Sequence, residues 1–167
     1  QGHSRATWIK SYLLADEVER ERLRTESVEA GLWSLINSAE AHLRMRFEHV
    51  SLERDNDTAF ASCTDFEHHP RTGMPCGDDF LLCLQCENAV ATPRHLPQLV
   101  ALQQALEGLA STDGPAWTDF RAAAYGCLMA LLNDRSLISE EELAAARHAV
   151  TDADRHIIDR TLNGVFQ

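Results

Sequence analysis

Four of the five cysteines of this 167-residue chain fall in one short stretch, as Cys63, Cys76, Cys83 and Cys86. The last pair forms a C-x-x-C, and His95 follows nine residues later. Thiolates at this spacing suit a soft metal, because a C-x-x-C brings two sulfurs to one ion from a single turn, and zinc takes four such ligands in a tetrahedron. The expected centre is zinc held by Cys63, Cys76, Cys83 and Cys86. His95 is the alternative fourth ligand, and the adjacent His68 and His69 are weaker candidates. Four thiolates also hold iron–sulfur clusters, so that cofactor is the alternative metal. Four cysteine ligands leave no open coordination position for water, which points to a structural metal rather than a catalytic one. Cys127 lies on an apolar helical face and is expected in the core.

The elements that position these residues read as helix. The stretch from Cys63 to about Asp79 is rich in turn formers and poor in aliphatics, so it needs an outside constraint to stay ordered, and metal ligation supplies one. Phe80-Leu81-Leu82 leads into Cys83 on a short helix. Upstream, Trp8, Ile9, Tyr12 and Leu13 keep helical spacing, and Asp16 to Glu29 mixes Glu and Arg as a solvated helix with i,i+4 pairs. Leu32, Leu35, Ile36, Ala39 and Leu43 form a core-facing stripe on a helix running to about Phe47. Asp55-Asn56-Asp57 marks a turn.

Downstream, Pro97 suits a first helical turn, with Leu99, Val100, Leu102, Leu106 and Leu109 behind it. Asp113-Gly114-Pro115 breaks the chain before an apolar helix carrying Trp117, Phe120, Ala124, Cys127, Leu128, Leu131 and Leu132. Ser139 with Glu142 predicts a capping box, and Thr151 with Asp154 a second one. Ile157, Ile158 and Leu162 form the apolar side of the last helix, which Asn163-Gly164 ends. No strand pattern of useful length occurs. The fold class is therefore all-α: one domain, a helical bundle with a metal-stabilised cysteine-rich loop. Its parts are N-terminal helices over 5–62, the cysteine-rich knob over 63–96 and a C-terminal helical region over 97–167. Residues 1–4 (Gln-Gly-His-Ser) resemble the remnant of a protease-cleaved tag.

Composition bounds the function. The formal net charge of −11 argues against broad contact with nucleic acid through this domain alone. No apolar run approaches the roughly 20 residues that cross a bilayer, so no membrane partner is expected. An odd cysteine count without a visible signal peptide fits a reduced cytoplasm better than a disulfide framework. The motifs H-E-x-x-H, G-x-S-x-G, the P-loop and the zinc-deaminase pattern are absent from the sequence.

The residues around the cysteines carry a resemblance. Ala61-Ser62-Cys63-Thr64-Asp65 supplies C-x-D, and Pro75-Cys76 supplies P-C. Phe80 through Ala89 supplies F-x-x-C-x-x-C-x-N-A, and Arg94-His95-Leu96-Pro97 supplies R-H-L-P. In this order the pieces resemble a cysteine-rich module of actinobacterial proteins linked to tyrosine recombinases, the site-specific integrases of phages and mobile elements. The resemblance covers about Ala61 to Leu109. It implies an accessory or C-terminal domain of an integrase system, with DNA, a recombinase or a second copy of the chain as partners. Catalysis is not expected here. A tyrosine recombinase needs a nucleophilic tyrosine with arginines and an H-x-x-R box to stabilise charge on the scissile phosphate. The one H-x-x-R, His68 to Arg71, lies in the turn-rich loop, and Tyr12 and Tyr125 lie on apolar helices. Arg94 and His95, beside the metal knob, are the candidate phosphate contacts. The reading is a noncatalytic zinc-stabilised domain, with an iron–sulfur or zinc metalloenzyme or redox sensor as the alternative.

Overall fold

In the computed structural model, residues 42–77, 79–111 and 119–163 are described. They are mostly helical, with four α-helices: α1 Leu96–Ser111, α2 Asp119–Asn133, α3 Glu140–Ala149 and α4 Asp152–Leu162. Apolar spacing makes α1 the centre of the core. Leu96, Leu99, Val100, Leu102 and Leu106 are all buried, and α2, α3 and α4 each pack on α1. From α2 come Ala124, Cys127, Leu128, Leu131 and Leu132; from α3, Leu143 and Ala146; from α4, Ile158. Cys127 is thus a core residue, as its helical position predicts. Phe120 and Ile157 depart from the expected stripes: each is 38% exposed.

Both predicted capping boxes form. The Ser139 hydroxyl accepts from Glu142 N–H, and the Glu142 carboxylate accepts from Ser139 N–H at 2.9 Å. The same carboxylate pairs with His49 at 2.8 Å, and its pKa is pushed down to about 2, chiefly by the Ser139 hydroxyl and amide. Asp154 repeats the arrangement with Thr151 and also accepts from Gln98 Nε2 of α1 at 2.6 Å, which ties α4 to the central helix.

The N-terminal side of α1 departs from the all-α expectation. Among the described residues before Leu96 there is no α-helix. The stripe expected to run as helix to Phe47 ends instead in a strand, β1 (Arg46–Phe47). It joins β2 (Ser62–Cys63) and β3 (Ala89–Ala91) in a three-stranded sheet of order β1-β3-β2, with β1 parallel and β2 antiparallel to β3. Strands of two or three residues are too short to show alternation in sequence, and β3 is buried on both faces, which removes the polar half of the pattern. The expected helices within 5–41, residues 1–4, the 113–115 break and Gly164 lie outside the described residues.

Short 3-10 helices fill the rest: Arg54–Asn56 at the predicted turn, Phe80–Gln85, and Pro93–His95 leading into α1. The Phe80–Gln85 turn is capped by the Asp79 carboxylate, which accepts from Leu81 N–H at 2.9 Å. It buries Leu81 and Leu84 and packs on α2. Among the described residues, no helix is long and apolar enough to cross a membrane.

Candidate metal centre

The sheet register sets the site. Cys63 on β2 stands opposite Ala89 on β3, three residues beyond Cys86. Strand β3 therefore carries the end of the C-x-x-C segment alongside Cys63. A slip of one residue would turn Cys63 to the opposite face. Cys83 sits on the 3-10 turn that Leu81 and Leu84 anchor to the core, and the Cys86 amide donates back to Cys83 O at 3.2 Å. Cys76 arrives from the loop, where its N–H donates to Phe66 O at 2.8 Å.

These positions bring the four thiols into electrostatic range of one another. Burial pushes the Cys83 thiol up to about 12, and Cys86, Cys76 and Cys63 each add to the rise. Cys63 is raised by burial and by Cys86 and Cys76, against a hydrogen bond from the Asp65 amide to its sulfur. That bond, from the N–H two residues on, stabilises a thiolate. None of the five cysteines is disulfide-bonded. Among the described residues, no three His, Cys, Asp or Glu side chains close on a common point at metal-bonding distance. The donor chemistry nonetheless fits a soft dication: the thiols come from three segments, and a cation beside Cys63 and Cys83 would offset the burial and neighbouring thiols that oppose their ionisation. Closing the set requires side-chain movement, for which Cys76, exposed on its loop, is placed.

The loop bearing Cys76 is held by hydrogen bonds. From Thr64 to Asp79, the one buried residue among those described is His69. The His69 amide donates to Met74 O and the Gly73 amide to His69 O, each at 2.8 Å. Gly73 sits at φ 66°, the left-handed region open to glycine without strain. The Asp65 carboxylate accepts from the amides of Glu67 and His68, each at 3.0 Å, and lies 3.1 Å from the exposed His68 ring. His69 Nδ1 accepts from Arg71 N–H at 3.3 Å.

His95 and Arg94 serve a different junction. His95 is 5% exposed, and its Nδ1 accepts the Thr92 N–H at 3.0 Å, so that nitrogen carries no proton and its lone pair is in use. Nε2 then bears the hydrogen and faces Asp57 Oδ1 at 3.4 Å. Both ring nitrogens face hydrogen-bond partners within this junction. The ring completes a cap at the entry to α1. Arg94 donates to Leu52 O, to Glu53 O, to Asp57 Oδ1 at 2.7 Å and to Ser62 Oγ at 3.0 Å. Its guanidinium holds residues 52–62 against the start of α1, so Arg94 and His95 form a clamp between the two segments.

Sequence reading missed the receiving half of this clamp. Asp57 had been read as a turn residue, and Ser62 carried no signal. Ser62 Oγ donates to Asp57 Oδ1 at 2.6 Å. Burial would raise the Asp57 carboxyl, but the Ser62 and Arg94 hydrogen bonds together with His95 outweigh it and hold it below its usual range. Asn88 is a fixed position of the C-x-N-A run, but its place between two cysteine segments is visible only once the sheet is formed. Tyr125 behaves as a structural residue: its hydroxyl donates to Glu107 at 3.1 Å, and burial with that neighbour pushes its pKa up to about 12, the reverse of an activated nucleophile. Tyr12 lies outside the described residues.

No protein-family model, curated protein or solved structure matches the chain.

Proposed function

We propose that this chain is a noncatalytic, zinc-stabilised helical domain that works as an accessory or C-terminal part of a site-specific recombination (integrase) system. In this reading Cys63, Cys76, Cys83 and Cys86 hold one structural zinc. What supports it is the mutual electrostatic influence of these four thiols, brought near one another from a strand, a loop and a 3-10 turn. Zinc supplies the cross-link that a loop with a single buried residue lacks.

The recombination context rests on the sequence resemblance, and the position of the motif residues supports a structural reading of it. Asp65 caps the loop, Phe80 stacks edge-on against Phe60, and Asn88 bonds the loop backbone. Ala89 and Leu96 are buried, and Arg94 and His95 form the clamp. A motif whose fixed positions build a module, with no activated tyrosine among the described residues, favours a binding role over catalysis. The excess of acidic residues, and the commitment of Arg94 and His95 to internal bonds, favour protein contact, with a recombinase or a second copy, over direct contact with DNA.

Elemental analysis of purified protein tests the metal. The expected result is one equivalent of zinc on a colourless chain. A brown chain with iron and sulfide would move the assignment to the iron–sulfur alternative, and a metal-free chain with native stability would overturn the zinc reading. Gel shift at moderate salt beside sedimentation tests the partner: no DNA affinity with self-association or recombinase binding is expected, and tight DNA binding by this chain alone would reverse the order.

A further inference from the structure

Two residues past Cys86, the side chain of Asn88 spans the gap between the cysteine segments. Its Nδ2 donates to Asp65 O and to His68 O, each at 3.0 Å. Both partners are carbonyls and only accept, so the amide nitrogen must face them. The backbone carbonyl of Asn88 accepts from Thr64 N–H at 2.8 Å and from Thr64 Oγ1 at 3.1 Å. Four hydrogen bonds thus run from one residue of the Cys83–Cys86 side to the segment that follows Cys63.

We infer that Asn88 is the positioning residue of the metal centre, setting the distance and orientation of Cys63 and its loop against Cys83 and Cys86; this rests on the zinc reading above. The β2–β3 ladder ends at the Cys63–Ala89 pair. Beyond it, the chain from Thr64 onward turns away into a loop without apolar burial. The Asn88 bonds extend the pairing past the end of the sheet and hold the Thr64 amide together with the Asp65 and His68 carbonyls. Asn88 therefore orients the backbone that leads out of Cys63 while touching no sulfur through these bonds. The fork needs two N–H donors on one nitrogen, so aspartate, of the same shape, turns it from attraction to repulsion against two carbonyls.

The test is zinc affinity, measured by competition with a chromophoric chelator on the full chain, for the parent protein, Asn88→Ala, Asn88→Asp and Thr64→Val. Outer partners of metal sites typically contribute about 10–100-fold in affinity. Asn88→Ala is expected within that range, Asn88→Asp at its upper end, and Thr64→Val, which keeps the backbone bond, below both. Alkylation of the zinc-loaded variants is the second readout: Cys63 and Cys76 become reactive first while Cys83 and Cys86 stay protected. A merely structural role would lower thermal stability without this order of exposure. Parent protein that binds zinc, with Asn88→Ala binding equally tightly and Cys63 still protected, overturns the inference and leaves the zinc reading intact. Parent protein that binds no zinc overturns both. Should Asn88→Ala fail to fold, Thr64→Val decides: unchanged affinity overturns the inference, and a graded loss supports it.

Discussion

The two sides of α1 are held together by different forces. Residues 96–163 are an apolar core with capped helices: Leu99, Leu102, Leu106, Leu128, Leu131, Ile138 and Leu143 are fully buried, and two capping boxes satisfy helix ends. Residues 42–95 have less of this. Met45, Phe47, Phe60, Leu81 and Leu84 join the common core at the roots of the knob, but the loop from Thr64 to Asp79 adds no apolar burial among its described residues. Backbone bonds, the Asp57–Arg94–His95 clamp and the Asn88 fork take its place. Hydrogen bonds contribute about 0.5–1.5 kcal/mol each, against about 1–2 kcal/mol per residue of backbone entropy, so polar contacts alone leave such a loop marginal. The difference teaches where a metal would matter most: in the loop that hydrophobic burial does not reach.

The largest effect should come from removing the metal. Structural zinc contributes roughly 10–16 kcal/mol of apparent binding free energy in small modules. Chelation is expected to release hydrogen-exchange protection at Gly73, Cys76 and Thr64, whose amides are bonded within the knob, while protection in α1 and α3 persists. Simultaneous loss of protection in both regions would break the contrast.

The opposite perturbation sharpens it. Leu102 is fully buried on the central helix, and Leu102→Ala should cost about 2–5 kcal/mol through lost burial and the cavity left behind. Denaturant unfolding should show that loss, with zinc stoichiometry unchanged. A variant that also loses its zinc would mean that the knob has no hold independent of the helical core.

Between the two regions lies the clamp, and its effect should be smaller. Arg94→Ala leaves Asp57, Ser62 Oγ and two carbonyls without their donor, at about 1–3 kcal/mol, since water reaches part of the site. Thermal melts should register this, and DNA affinity, if any is present, should not change. A variant of native stability that loses DNA binding would restore Arg94 as a surface contact.

The two regions also differ in how much of them the sequence reveals. Helices α1, α3 and α4 were legible because each carries local signals: a first-turn proline, and two boxes in which a hydroxyl and a carboxylate sit three residues apart. Cys127 could be placed by helical period alone. The cysteine cluster was legible as chemistry, since C-x-x-C spacing carries its own meaning. The sheet was not, because β1 pairs with β3 across more than forty residues in register Arg46–Val90, and no local pattern encodes a two-residue partner. Arg94 and His95 stand out in the R-H-L-P run, but the run does not show which groups they bond. Whether an arginine faces a phosphate or a carboxylate depends on what the fold brings to it, and Asp57 lies 37 residues away in sequence.

His95 gives the smallest and most specific test of the contrast. Burial lowers its pKa from the ordinary 6.5; Arg94 acts in the same direction, and Asp57 opposes without prevailing. The neutral ring accepts the Thr92 N–H, whereas a protonated ring would present a hydrogen to that donor. Because the folded pKa lies below the unfolded one, the unfolded chain takes up the proton first as pH falls. The stability tied to His95 is therefore fully present above about pH 6.5 and is lost progressively as pH drops below it toward the lower folded value. Zinc thiolates also weaken in acid, so the comparison needs a variant that keeps the cap and drops the titration. His95→Gln does this, since glutamine at the third helical position can reach back to the capping residue's N–H. Relative to His95→Gln, the parent protein should lose stability as pH falls below 6.5, while the two run parallel above pH 7. An NMR titration that puts the His95 ring above 6.5 would show that Asp57 governs it; the imidazolium would then be the folded form, and the clamp would strengthen in acid instead of loosening.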